Sequence, residues 1–420
     1  MNRSFLCIIF LTATFSAKAQ ADQAPSWPLI THDPYFSIWS FSEELTSTPT
    51  VHWTGKPQPL VGLLRVDGST CSFLGKAEPK VENIVATGEA APQPVMVSTS
   101  APEENWMAAE FNDGSWTKST LPLGSALNNW TTPEIWVRRT FEFDGRTLNK
   151  VWLSLSHDDD VEVYLNGERI FNCAPCYNGG HERFSVEGAV LQKLVKGRNI
   201  LALHCTNTGG PGYLDAGLLH ELPSPPVQTA VQRSSEMTAT QTRYKMVCGP
   251  VDIDVNFISP LLIESLEMAS RPVSYIQLKF KSNDQRDHAV TAYVGVSSNL
   301  TVNTAHQEVK ASVLEGVQLS VIKAGSVAQP VLQKKGDDLR IDWGHAYLRI
   351  SSNKIPWKQD ISVSGTDPFI ASGHNHLTGR NLMLNTRAAF TVRPTEIEQV
   401  FGLGYDDLES VQYFGKNLKS

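Results

Sequence analysis

Apolar and polar residues alternate at period two over much of this chain. Val251-Asp-Ile-Asp-Val-Asn-Phe257 sets Val251, Ile253, Val255 and Phe257 on one face and polar residues on the other, as a strand does when one face meets a core. Val290-Thr-Ala-Tyr-Val-Gly-Val296 repeats the pattern with β-branched residues. Val161-Glu-Val-Tyr-Leu165 also alternates and runs into Asn166-Gly167, the strongest two-residue hairpin signal, because a type I′ turn needs two residues with positive φ. Gly, Pro, Asn and Asp clusters recur at short intervals, as between antiparallel strands of a sandwich. Helical periodicity is nearly absent. The clearest predicted helix closes the chain, where Asp407 can N-cap a segment with Leu408, Val411 and Phe414 on one stripe. The expected class is all-β with a short C-terminal helix.

Two Pro-rich stretches cut the pattern, Ala90-Ala-Pro92-Gln-Pro94 and Leu222-Pro-Ser-Pro225-Pro226. Proline holds itself and its predecessor extended, so such stretches act as stiff connectors. Between them, residues 101–222 read as one module. It runs through Glu110-Phe-Asn-Asp113-Gly-Ser-Trp116, Leu121-Pro-Leu-Gly124 and Ile135-Trp136-Val-Arg138-Arg-Thr-Phe141 to Val151-Trp-Leu-Ser-Leu155, Asp158 to Gly167 and Lys196-Gly-Arg-Asn199-Ile-Leu-Ala-Leu203. That order resembles the galactose-binding-like jelly roll that serves as the sugar-binding domain of family 2 glycoside hydrolases. Residues 22–90 and 227–420 would then form one discontinuous β-sandwich around the insert, which loop-closure entropy tolerates because it grows slowly with length.

The first nineteen residues read as a secretory leader: Arg3, an apolar Phe5 to Phe15 and a small-x-small Ala17-Lys-Ala19. The apolar run is too short to span a bilayer, so the mature protein is expected to be exported, periplasmic or extracellular, without membrane insertion. A net charge of −7 argues against nucleic acid or an anionic membrane surface as partner, since both need a basic face. Five cysteines remain beyond the leader, Cys71, Cys173, Cys176, Cys205 and Cys248, too few for a disulfide-built scaffold. Cys205 and Cys248 read as small buried hydrophobes on strands.

Candidate chemistry is sparse. Cys173-Ala-Pro-Cys176 has redox spacing but follows a strand and enters loop residues, so a loop-closing disulfide or two thiols fits better than a catalytic site at a helix N-terminus. Asp158-Asp-Asp160 could offer oxygens to calcium but reads as turn chemistry. His374-Asn-His376 lacks an identifiable third ligand, and Asp406-Asp407 is ill placed for glycosidic acid–base work. No metal site is assigned. With no Gly-x-Ser-x-Gly elbow, Walker loop or Gly-x-Gly-x-x-Gly, no cofactor and no catalytic residue are expected. Among ten tryptophans, Trp136 and Trp152 alternate within strands and should be core. Trp130 sits in a polar loop, and Asn207 to Tyr213 forms a second loop ending in an aromatic. Trp130, Asn207 and Tyr213 are therefore the candidate carbohydrate-binding residues, since ligands meet such folds at loop ends.

Pro28 to Trp39, His52-Trp53-Thr-Gly55, Arg65-Val-Asp67-Gly68 and Phe73-Leu-Gly75, with Gly404-Tyr-Asp-Asp407 to Gly415 at the far end, resemble the β-rich N-terminal part of the secreted glutaminase A family. The resemblance implies hydrolysis of glutamine to glutamate and ammonia by a large helical domain. That domain would follow this region and is expected to be missing or supplied by a separate chain. The chain itself would then be non-catalytic. Two alternatives are a glycan-binding accessory protein and the β-sandwich part of a carbohydrate-active hydrolase.

Overall fold

In a computed structural model, residues 24–418 are described except 78, 90, 125–129, 179, 211, 224–226, 306, 317–318, 337, 352–353 and 410. The leader and part of each Pro-rich stretch lie outside the described residues. Strands dominate, and the α-helices among the described residues are the four-residue Gly188–Leu191 and Leu266–Ala269. The alternation sets the strands. Val251–Ile258 buries every second residue, and Asp160–Leu165 does the same before turning through Asn166 (φ 49°) and Gly167 (φ 89°).

Two sheets enclose the middle of the chain. One has six strands in the order Glu168–Cys173, Asp160–Leu165, Gly197–Thr206, Glu134–Phe143, Gln93–Ser98, Thr117–Leu121. The other has four, Glu182–Val186, Lys150–Asp158, Tyr213–Glu221, Val81–Val85. Val137, Leu153, Leu155, Val163, Leu203 and Leu218 fill the space between them. Val81–Val85, which precedes the first Pro-rich stretch, and Gln93–Ser98, which contains its Pro94, thus pair with strands from residues 101–222.

A nine-stranded and a six-stranded sheet enclose a second core that draws Leu29, Phe36 and Phe73 from the start of the chain and Phe257, Phe280 and Phe401 from its later part. Cys71 and Cys248 form a disulfide across this core. The free-thiol expectation for Cys248 is therefore corrected: both cysteines lie on strands whose side chains enter the same interior. Cys205 is a free, buried thiol, and Cys173 pairs with Cys176.

The motifs around the first strands hold local structure in place. Asp67 (φ 47°) and Gly68 (φ 94°) form the turn between Leu60–Val66 and Ser69–Leu74. The Asp67 carboxylate accepts the Ala289 N–H at 3.0 Å and meets His288 Nδ1 at 2.7 Å, fastening that turn to the His288–Ser297 strand. The Trp53 indole donates to the Pro34 carbonyl at 2.7 Å, and Asp33 accepts the Tyr35 and Phe36 N–H groups.

The C-terminal segment is not a helix. Val411–Tyr413 and Lys416–Leu418 pair as a hairpin. Phe414 (φ 45°) and Gly415 (φ 74°) supply its turn, so a two-residue turn signal overrides the short apolar stripe. Tyr413 and Phe414 stand exposed at its tip. Among the described residues, no helix is long and apolar enough to cross a membrane.

Candidate functional site

The outer face of the four-stranded sheet is polar. Leu153 and Leu155 point into the core, so Ser154, Ser156 and Asp158 on the same strand point away from it. Cross-strand partners share a face, which adds Tyr213, Asp215 and Gly217 opposite Asp158, Ser156 and Ser154. On the other side Tyr177 bridges to Asp158. Tyr177 is 73% exposed, whereas Asp215 is fully buried.

The segment after Val81–Val85 lies along this face. Gly88 and Glu89 donate their backbone N–H groups to the Asp215 carboxylate at 2.8 and 3.1 Å. His181 Nε2 lies 3.1 Å from Asp215 Oδ2 and 3.4 Å from Glu89 Oε2, while its Nδ1 lies 3.0 Å from Ser154 Oγ. Tyr213 OH reaches Glu89 Oε1 at 3.5 Å. Burial, then the Glu89 charge, pushes the Tyr213 phenol far above its ordinary value, so it remains a neutral donor.

The three acids at the end of the Lys150–Asp158 strand differ in environment. Asp159 accepts both the Thr208 N–H and its hydroxyl, which holds its carboxyl below the usual range. Asp158 is pushed up to about 6, by burial first and then by the neighbouring Asp159. Asp160 accepts the Cys176 N–H at 3.0 Å. Asp159 and Asp160 thus tie the loop at Thr208 and the segment at Cys176 to this strand end. Because the folded pKa of Asp158 is raised, its contribution favours the folded state below about pH 4 and is lost as pH rises toward 6. Asp158→Asn should flatten the melting temperature across that window; a slope identical to the parent chain would show that Asp158 titrates normally.

Of the sequence-derived candidates, Trp130 and Asn207 meet at Gly212, the residue before Tyr213, though not as exposed platforms. Trp130 is buried, 5% exposed, and its indole N–H donates to Thr132 Oγ1. Its ring lies over Gly212, where a Cβ would come within 2.7 Å of it. The polar flanks suggested an open loop, but the ring packs inward against backbone. Asn207 closes its own loop, donating to the Gly210 carbonyl and accepting the Gly209 N–H. Tyr213 is not a mobile loop end but the first residue of a strand. Trp152, expected in the core, is half-buried on the outer face, donates to Glu221 and carries the Lys150 ammonium over its ring at 3.9 Å. Trp136 is buried, stacked on His204 outside the main core. His374 and His376 are exposed.

Tyr177, His181, Asp215 and Glu89 were missed. The available signal was the second alternation inside otherwise apolar strands: Ser154, Ser156, Asp158 on one and Tyr213, Asp215, Gly217 on its neighbour. Glu89 and His181 come from irregular segments, and only the fold brings them to the strands.

No curated protein sequence matches the chain. Among solved structures it is similar to β-glucuronidase 2 of Bacteroides uniformis, at 11% identity and a TM-score of 0.28, over 66% of this chain and 31% of that one. It is also similar to a β-glucuronidase of Faecalibacterium prausnitzii, at 10% identity and a TM-score of 0.28, over 49% and 44% of the two chains. A β-glycosidase of Bacteroides vulgatus matches at 12% identity and a TM-score of 0.25, over 71% of this chain and 35% of that one. The chain therefore spans less than half of each of these proteins. Two family models match, each described as a domain of unknown function: DUF4964 over residues 5–86 and DUF5127 over residues 240–420.

Proposed function

We propose that this chain is a non-catalytic, carbohydrate-recognising β-rich region of an exported carbohydrate-active hydrolase. The observation that carries this reading is the face where exposed Tyr177 and half-buried Tyr213 flank Asp158. Aromatic rings offer apolar surface to the C–H face of a pyranose, and a neighbouring carboxyl fixes its hydroxyls, the usual division between apolar walls and a few placed polar groups. Export is supported by the leader pattern and by the disulfides Cys71–Cys248 and Cys173–Cys176, which suit an oxidising compartment.

The test is retention of the intact chain on a panel of immobilised neutral and acidic polysaccharides, with released sugar assayed in parallel. Binding without turnover is expected, weakened at least tenfold in Tyr177→Ala. Retention unchanged in that variant, or none on any polysaccharide, would overturn the reading.

A second reading follows from the glutaminase A resemblance of Arg65 to Gly68 and Gly404 to Gly415, with the chemistry assigned to a helical region outside these residues. It is favoured if ammonia is released from glutamine when such a helical region is supplied, and if no polysaccharide is retained.

A further inference from the structure

We infer that Glu89, His181 and Asp215 form a binding site for a zinc-class divalent cation on the outer face of the four-stranded sheet. Their nearest ligand atoms all lie within 4.8 Å of one another. His181 Nε2 is 3.1 Å from Asp215 Oδ2 and 3.4 Å from Glu89 Oε2. Bonds of about 2.0–2.2 Å at a tetrahedral angle set neighbouring ligand atoms roughly 3.3–3.6 Å apart, so small adjustments admit an ion.

The outer partners make the arrangement more than a chance cluster. Each candidate ligand has a polar atom held from outside the trio, which fixes its orientation. His181 Nδ1 faces Ser154 Oγ at 3.0 Å, which can accept its proton and so set the tautomer whose Nε2 can ligate a metal. Asp215 Oδ1 accepts the Gly88 N–H and its Oδ2 the Glu89 N–H, and Glu89 Oε1 accepts from Tyr213 OH. Metal-binding histidines and carboxylates are oriented by such partners. The Asp215 side chain is fully buried, and those of His181 and Glu89 are 10% and 17% exposed. Two carboxylates facing each other in such a setting need a positive charge, supplied either by a cation or by an imidazolium.

Donor chemistry selects the ion. One imidazole nitrogen and two carboxylate oxygens suit zinc and its neighbours, whereas calcium takes six to eight oxygens. The fourth position would be left to water or to a ligand hydroxyl. This cation site stands independently of the carbohydrate reading, because its three ligands are not the side chains that would meet the sugar and it is read by metal binding alone.

The experiment is equilibrium dialysis of chelator-treated intact chain against zinc chloride, with calcium chloride in parallel and cobalt(II) as a spectroscopic probe. Expected are one zinc per chain, a cobalt spectrum of tetrahedral type and no stoichiometric calcium. His181→Ala and Glu89→Gln should abolish the bound ion, and Ser154→Ala should weaken it about 10–100-fold. Asp215 also anchors two backbone N–H groups, so Glu89→Gln is the variant that spares the fold. No stoichiometric zinc, calcium bound in its place, or zinc retained in both His181→Ala and Glu89→Gln would overturn the site and leave an imidazolium–carboxylate network instead. A parallel loss in His374→Ala would likewise move the metal elsewhere and overturn it.

Discussion

Replacing Arg138 with Ala should destabilise the middle module by about 3–5 kcal/mol, the usual cost of removing one partner of a buried ion pair. The Arg138 side chain is fully buried, its Nε bonds Asp113 at 2.9 Å, and its remaining donors serve the carbonyls of Trp106, Ala108 and Phe111. One guanidinium thus holds the segment from Glu103 to Trp116 over the outer face of the six-stranded sheet. There Trp106, Trp136, Ile200 and Ala202 form a small separate core. Without it, three carbonyls and a carboxylate lose their donor and the tryptophans lose their cover. Urea unfolding followed by tryptophan emission should show an early transition. Asp113→Asn, which keeps the arginine and a polar partner, should cost much less. A loss below about 1 kcal/mol in Arg138→Ala would mean that the segment is held by its apolar contacts alone.

The second large effect is expected from the Cys71–Cys248 disulfide. It joins Ser69–Leu74 to Gln241–Cys248 across a sequence separation of 177 residues. Closing a loop of that length restricts the unfolded chain strongly, and removing a native disulfide costs roughly 2–5 kcal/mol. The Cys71→Ser, Cys248→Ser pair should therefore lower the denaturation midpoint of the outer sandwich clearly. The Cys173→Ser, Cys176→Ser pair, which opens a loop of sequence separation 3, should change it little. Equal effects of the two pairs would show that the long-range link does not constrain the outer sandwich.

Much of the fold was legible because alternation and turn chemistry are local. Val251–Ile258 and Asp160–Leu165 follow their patterns residue by residue, and Asn166-Gly167 turns where a type I′ signal requires it. Position 199 shows what a motif conceals. Asn199 is fully buried and bonds the carbonyls of Val195 and Gly197, and its Oδ1 accepts from Asn166 Nδ2, so it couples two turns far apart in sequence. The end of the chain misled because three apolar residues at helical spacing are a weak signal beside Phe414-Gly415, whose positive φ values close a hairpin.

The candidate site was less legible. Its residues come from two neighbouring strands, the segment at Glu89 and the stretch from Tyr177 to His181, and only strand pairing sets them side by side. Trp130 drew attention by composition, yet a large apolar ring beside a glycine gains more from packing on backbone than from standing in water. Asp215 was overlooked because it reads as one more polar residue in an apolar strand. Its complete burial and its bonds to Gly88 and Glu89 emerge only when the preceding segment folds across the sheet.

The most direct measurement is a crystal structure of the intact chain with an oligosaccharide that the polysaccharide panel selects. The expected result is a sugar ring lying along Tyr177 and Tyr213, with a hydroxyl bonded to Asp158. A ring seated elsewhere, for example on the exposed apolar segment from Leu261 to Leu266, with the Tyr177 face empty, would contradict carbohydrate recognition by this sheet.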